Sequence, residues 1–267
     1  MRYFIELSYR GTAYHGWQTQ ANGCSVQTTL EAALTKRLGK PMYVVASGRT
    51  DAGVHASQQF AHFDVNEPLP LTEAFLYSIN CILPEDIVIH RIFPVQENHH
   101  ARFSAIFRYY QYRICRQKSA FQSGLTYHFR PVLNEAIMND ACQLMLQHTN
   151  FQSFSKARAN VTHFNCRLDF AYWERIDENT LTFHIRANRF LWGMVRTIVG
   201  TMIEIGQERM NLDQFEQIIL SRDRNKAGRA APANGLYLVE VGYPQGVCSA
   251  PDSRNKINGT NSNQSLS

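Results

Sequence analysis

At 267 residues, 44% hydrophobic and 18% charged, the chain has the composition of a globular protein, long enough for one large domain or two closely packed halves. Its longest apolar stretch, residues 190–205, is broken by Arg196 and Glu204, and its first residues lack a basic, apolar and cleavage-site succession, so neither a membrane span nor a leader is expected and the cytoplasm is. Six scattered cysteines without a C-x-x-C pair and ten histidines without metal-ligand spacing predict reduced thiols and no structural metal, while the net charge of +5 matters through its uneven distribution.

In chain order, residues 3–9 alternate as a strand with Tyr3, Ile5, Leu7 and Tyr9 on one face, and a glycine-containing loop, 11–23, follows. Ser25 can cap a helix on which Val26, Leu30, Ala33, Leu34 and Leu38 recur at helical spacing. Two strands come next, 42–46 and a second in which Ala61, Phe63 and Val65 alternate against Phe60, His62 and Asp64. The turn between them contains Arg49-Thr50-Asp51. If that tripeptide is extended, Arg49 and Asp51 share a face and can meet, with Thr50 opposite. The residues alone leave two readings open: a solvated turn with Gly53 at positive φ, or a site.

A helix over 71–81 and a strand over 87–95 complete a first half, and beyond His99 the order recurs loosely. Strand 107–115, helix 134–148, strands 167–173 and 181–186, helices 190–206 and 212–220, and strand 236–243 make a second half. The expected fold class is α+β, two similar halves joined through one mixed, mostly antiparallel sheet with a cleft where they meet. Boundaries are placed at 1–105 and 106–244, with a disordered Asn/Ser/Gly-rich tail at 245–267.

Two features point to function. Between Asn98 and Asn134 there is no acid, yet Arg102, Arg108, Arg113, Arg116, Lys118 and Arg130 interleave with eight Phe and Tyr residues; phosphates attract the first type and unstacked bases the second. Acid-free basic stretches recur at 151–168 (Lys156, Arg158, Arg167), 184–203 (Arg186, Arg189, Arg196) and 224–229, favouring nucleic acid as partner over an aromatic core edged by arginines. The second feature is the helix over 190–206, apolar nearly all round and therefore buried, with Arg196 in its middle. That arginine must reach water or a carboxylate; Asp51 is a candidate partner, with Glu204 or another acid as the alternative.

His15-Gly16-Trp17-Gln18-Thr19-Gln20, Gly48-Arg49-Thr50-Asp51-Ala52-Gly53-Val54-His55-Ala56, Ala101-Arg102-Phe103-Ser104-Ala105 with Arg108, Tyr110 and Tyr112, Met194-Val195-Arg196 with Ile198-Val199-Gly200, and Gly235-Leu236-Tyr237-Leu238 with Tyr243-Pro244 occur in that order. Together they closely resemble the tRNA pseudouridine synthase A family, from the first strand through Tyr243. Trp192-Gly193 depart from the family, whose members often carry more polar or basic residues there.

The resemblance implies the pseudouridine synthase fold and isomerisation of uridine to pseudouridine at positions 38, 39 and 40 of the tRNA anticodon stem-loop, by base flipping, without cofactor and as a homodimer. It implies Asp51 as the reacting carboxylate, as nucleophile or as base. Arg196 is its cationic support, Arg49 fills the gap left by the flipped base, and Tyr110 stacks on the uracil. His55, Arg102, Arg108 and Leu236 are the further substrate-binding candidates. Two rival readings are a binding module without chemistry and a carboxylate hydrolase, the latter needing a second acid for which Asp64 and Glu67 are nearest in sequence.

Overall fold

The computed structural model describes residues 1–21, 23–156 and 162–248. Its elements in chain order are β1 (Arg2–Tyr9), α1 (Val26–Leu38), β2 (Val45–Ala46), β3 (His55–Asp64), α2 (Glu73–Asn80) and β4 (Ile87–Val95). They are followed by β5 (Phe107–Cys115), β6 (Tyr127–His128), α3 (Glu135–Leu146), β7 (Leu168–Arg175), β8 (Thr180–Ala187), α4 (Met194–Gly206), α5 (Leu212–Ser221) and β9 (Leu236–Gly242). Among the described residues the nine strands form one sheet in the order β4-β1-β3-β9-β5-β8-β7, with β2 beside β3 and β6 beside β5. The β3/β9 and β5/β6 pairs are parallel and the others antiparallel, so the α+β class with a mixed, mostly antiparallel sheet holds.

Local chemistry sets several helix ends. Ser25 and Thr28 bond reciprocally to each other's backbone amide to cap α1, Asn134 caps α3, and Asn211 with Gln214 forms the same reciprocal cap on α5. α4 begins four residues later than its apolar run because Gly193 stands at φ +73°, outside the helical region. Of the predicted strand 42–46 only Val45–Ala46 is paired.

The alternation expected for β3 fails, because Phe60, Ala61, His62 and Phe63 are all buried. β3 is an inner strand, flanked by β1 and β9, and both its faces are covered. On one face Phe60 meets Phe4, Phe93 and Tyr243, ring against ring; the hydroxyl of Tyr243 donates to the Ala101 carbonyl at 2.6 Å and draws the segment after β4 over the sheet. On the other, Tyr3 stacks on Phe63, and Leu30, Leu34, Phe75 and Ile79 of α1 and α2 belong to the same buried cluster. A second cluster gathers Trp173, Phe183, Ile185, Phe215 and the apolar residues of α4. The parallel register His55 to Tyr237 and Ala56 to Leu238 ties β3 to β9, directly after the 47–54 turn. Of the tail over 245–267, residues 249–267 lie outside the described residues.

Candidate active site

The turn that carries Asp51 is pinned from three directions. At its start, the Ser47 amide donates to the Phe60 carbonyl at 2.7 Å, the Gln59 side-chain amide donates to the Gly48 carbonyl at 3.0 Å, and the Ser47 hydroxyl donates to Gln59 Oε1. From below, the Trp17 amide donates to the Thr50 carbonyl at 3.1 Å and the Gly53 amide to the Tyr14 carbonyl at 3.3 Å. Gly16 permits this approach: it sits at φ +91°, and a Cβ there would lie 2.6 Å from the Thr50 oxygen. The third hold is Thr50 itself, buried, with its hydroxyl 2.8 Å from that of Tyr9. The backbone is thereby fixed on both sides of one side chain, the Asp51 carboxylate.

Both oxygens of that carboxylate have a donor. Arg196 Nη1 donates to Oδ2 at 2.9 Å, and Trp192 Nε1 donates to Oδ1 at 2.9 Å. The ion pair is a quarter exposed, at 22% for Arg196 and 27% for Asp51, so it is screened less than a surface pair and desolvated less than a core one. Arg196 is oriented by a second bond, Nε to the Ala231 carbonyl at 2.7 Å, and its own carbonyl accepts from the Ala231 amide at 2.9 Å. This two-way clasp needs the 228–231 segment to lie against α4. Gly200 permits it, since a Cβ there would lie 1.7 Å from the Arg229 oxygen. Of the acids left open to Arg196 in the sequence, the fold supplies Asp51, while Glu204 pairs with Arg209 at 3.7 Å.

The remaining sequence candidates separate. Arg49 is exposed and does not meet Asp51, although an extended tripeptide allows it: the carboxylate turns to α4, and no hydrogen bond or ion pair of the Arg49 side chain occurs among the described residues. Tyr110, on β5, is half-buried, lies edge to face with Phe190 at 5.0 Å, and has its hydroxyl pushed up to about 12 by burial, opposed by Arg108 and reinforced by Asp51. His55 is 1% exposed, accepts from the Gly11 amide at Nδ1 (3.0 Å) and stacks on Tyr237 at 4.6 Å; burial lowers its basicity. Leu236 is likewise enclosed, in the second core cluster. Arg102 is exposed beside Phe103, itself 76% exposed, with its guanidinium 5.5 Å from the ring.

Arg108 differs most from its sequence reading. Its guanidinium donates to four backbone carbonyls, those of Ala105 (3.1 Å), Asn188 (3.1 Å), Ser47 (2.9 Å) and Arg102 (2.7 Å), which leaves it a tie between the Asp51 turn and two other loops. Arg108→Met is therefore expected to destabilise the fold by roughly 3 kcal/mol, the order of losing charge-assisted bonds to enclosed carbonyls. Thermal unfolding should fall by on the order of 5–10 °C. The slope of log affinity against log salt for tRNA should stay put, whereas Arg102→Ala should flatten it by roughly 0.7 to 0.9. A flattened slope for Arg108→Met at unchanged melting temperature would return it to the phosphate contacts.

Elsewhere, Arg167 and Arg186 pair with Asp169 at 3.6 and 3.0 Å, so those acid-free stretches are not free cations throughout, and Arg158 lies outside the described residues. Asp64, the second acid a hydrolase would want, takes Arg2 through both oxygens at 2.9 and 2.8 Å. Among the described residues no group of three His, Cys, Asp or Glu is placed to hold a metal ion, and no helix is long and apolar enough to cross a membrane. The sequence reading missed Trp192 as a partner of Asp51. Its departure from the family pattern marked the position, and nothing in helical periodicity says where an indole N–H will point.

A family model described as tRNA pseudouridine synthase matches residues 7–104 and 141–244. The protein of Parabacteroides distasonis called tRNA pseudouridine synthase A is 41% identical over 251 residues, covering 94% of this chain and 99% of its own length. Proteins of the same name from Bacteroides fragilis (44% over 247 residues, 92% and 98%) and Ruminiclostridium cellulolyticum (38% over 241 residues, 90% and 98%) are similar along nearly all of both chains.

Proposed function

We propose, from the premise that this chain belongs to the tRNA pseudouridine synthase family, that it isomerises uridine to pseudouridine at positions 38, 39 and 40 of the anticodon stem-loop, with Asp51 as the reacting carboxylate. That it is an isomerase acting on tRNA follows from the family; the positions and the residue roles are our reading. The observation that carries it is the Asp51 carboxylate, held by Arg196 and Trp192 on a turn fixed at both ends.

In this reading the target nucleotide leaves the helical stack, at a cost of roughly a few kcal/mol, and Arg49, exposed and unengaged among the described residues, occupies the gap. The uracil lies on Tyr110. The N-glycosidic bond breaks with Asp51 acting as nucleophile at the ribose or as base on a ribose proton, the base turns, C5 bonds to the ribose carbon as Asp51 gives up the bond or proton it took, and the C5 proton leaves while N1 takes one up. Reactant and product have the same atoms and oxidation level, so no cofactor is required. Arg196 keeps a cation beside the carboxylate throughout. Arg102 and the exposed Lys118, Arg130 and Lys156 supply positive surface for the phosphates. The enzyme would act in the cytoplasm as a homodimer, since the anticodon arm and elbow of a tRNA lie too far apart for one chain of this size to hold both; a one-chain mass on sedimentation would count against the dimer.

The direct test is incubation of C5-tritiated tRNA with the protein and no additive. Tritium should be released, and the single-turnover rate should not climb between pH 7 and 9.5, because in this reading Tyr110, its hydroxyl raised to about 12, stacks on the uracil and takes no proton. A tenfold rise per pH unit would make the phenolate the base. Binding without tritium release would favour a module that holds RNA without chemistry.

A further inference from the structure

We infer that Trp192 is a positioning residue for the reaction: its indole N–H and the Arg196 guanidinium grip the two oxygens of Asp51 separately and fix the plane of the carboxylate. The inference rests on the reading of Asp51 as the reacting group. A carboxylate held at one oxygen turns about its Cβ–Cγ bond; held at both, it keeps one orientation, with the lone pairs not engaged by the two donors left for the substrate. The two holds differ in kind. Arg196 brings charge, whereas the indole brings direction without charge and has no acceptor with which to compete for a substrate proton.

The local fold presents the indole for this purpose. Leu191 is buried and anchors the turn, the Trp192 carbonyl accepts from the Lys156 amide at 2.8 Å, and Gly193 at φ +73° starts α4 directly afterwards. Trp192 therefore stands four residues ahead of Arg196, just outside α4, and donates to the other oxygen of the same carboxylate. Lys156 Nζ lies 4.1 Å from the centre of the indole ring, a cation over its face. At 51% exposure the ring contributes little to the core, so burial does not account for a tryptophan at this place.

Two substitutions separate the hydrogen bond from the bulk. Trp192→Phe keeps an aromatic ring and removes the N–H. Trp192→His removes the fused six-membered ring, while the imidazole can overlie the indole's five-membered ring with Nε2 where Nε1 was, restoring a donor. Trp192→Phe should slow the single-turnover rate roughly tenfold, the order expected for one hydrogen bond to a charged group that water partly replaces. The dissociation constant for tRNA should stay within twofold, and Trp192→His should regain most of the rate. Asp51→Asn runs beside them as the control on the underlying reading. If Asp51→Asn is inactive and Trp192→Phe turns over at the wild-type rate, or if Trp192→His is as slow as Trp192→Phe, the positioning role is wrong and the reading of Asp51 stands. If Asp51→Asn remains active, that reading falls and the inference with it.

Discussion

Asp51→Asn is expected to abolish turnover while leaving tRNA affinity within a few fold. The asparagine has the shape of the aspartate, and its Oδ1 can still accept from the Trp192 indole, so the turn fixed through Ser47, Thr50 and Gly53 should keep its course. What is lost is the negative charge and the second acceptor. Neither bond formation to the ribose nor removal of a ribose proton can then proceed, and a reacting group that is removed outright costs several orders of magnitude. Affinity rests on the exposed cations, which the substitution does not touch. Single-turnover tritium release together with equilibrium binding at fixed salt measures both; a residual rate above about one per cent of wild type would contradict the role.

The second large effect divides two arginines that the motif places near one carboxylate. Arg196→Met removes the charge at Oδ2 and the bond to Ala231 at once, leaving Asp51 with the indole as its one remaining donor among the described residues. Breaking a fully buried pair costs roughly 3–5 kcal/mol, and this one, a quarter exposed, should lose somewhat less. Expressed in the chemical step, that is about two to three orders of magnitude in rate. Arg49→Ala touches neither bond. It removes the proposed filler of the vacated stack, so its defect should shrink when the target uridine is mismatched and already cheap to flip. Single-turnover rates for both variants on paired and mismatched anticodon stems test this, with rescue expected for Arg49→Ala alone. Equal rescue of both, or of neither, would sink the division.

How much of this could be read beforehand follows from what each signal encodes. Strands 87–95 and 107–115 agree with the fold to the residue, because Val/Ile-rich or aromatic runs bounded by turn chemistry encode local conformation. The Asp51 to Arg196 contact was one option beside water, Glu204 or another acid, since an arginine inside an apolar helix needs water or a carboxylate without naming which. The failures share a cause. Arg108 read as a phosphate contact because a guanidinium among aromatic residues looks the same in sequence whether it meets phosphates or backbone carbonyls, and only the packing of three loops around it decides. The alternation over Phe60 to Val65 implies one open face, and it fails because a strand's place in the sheet order, inner or edge, is a long-range property. Trp192 combined both difficulties.

The parallel pairing of β3 with β9 also bears on how the protein is made. Val241 donates to the Gln58 side chain across 183 residues of sequence, and on the side where β2 meets Ala61 and His62, the start of β3 at His55 and Ala56 has no neighbour strand until β9 has been synthesised. At about 5–20 residues per second that interval is on the order of ten to forty seconds, during which the first residues of β3 stand as an open edge. Contacts so distant in sequence also form slowly once the chain is free. A nascent chain ending between residues 64 and 235 thus holds Asp51 but lacks the strand that closes the sheet beside it. Active enzyme should emerge all at once and late, and a truncated product should aggregate through the open edge before it can act on tRNA.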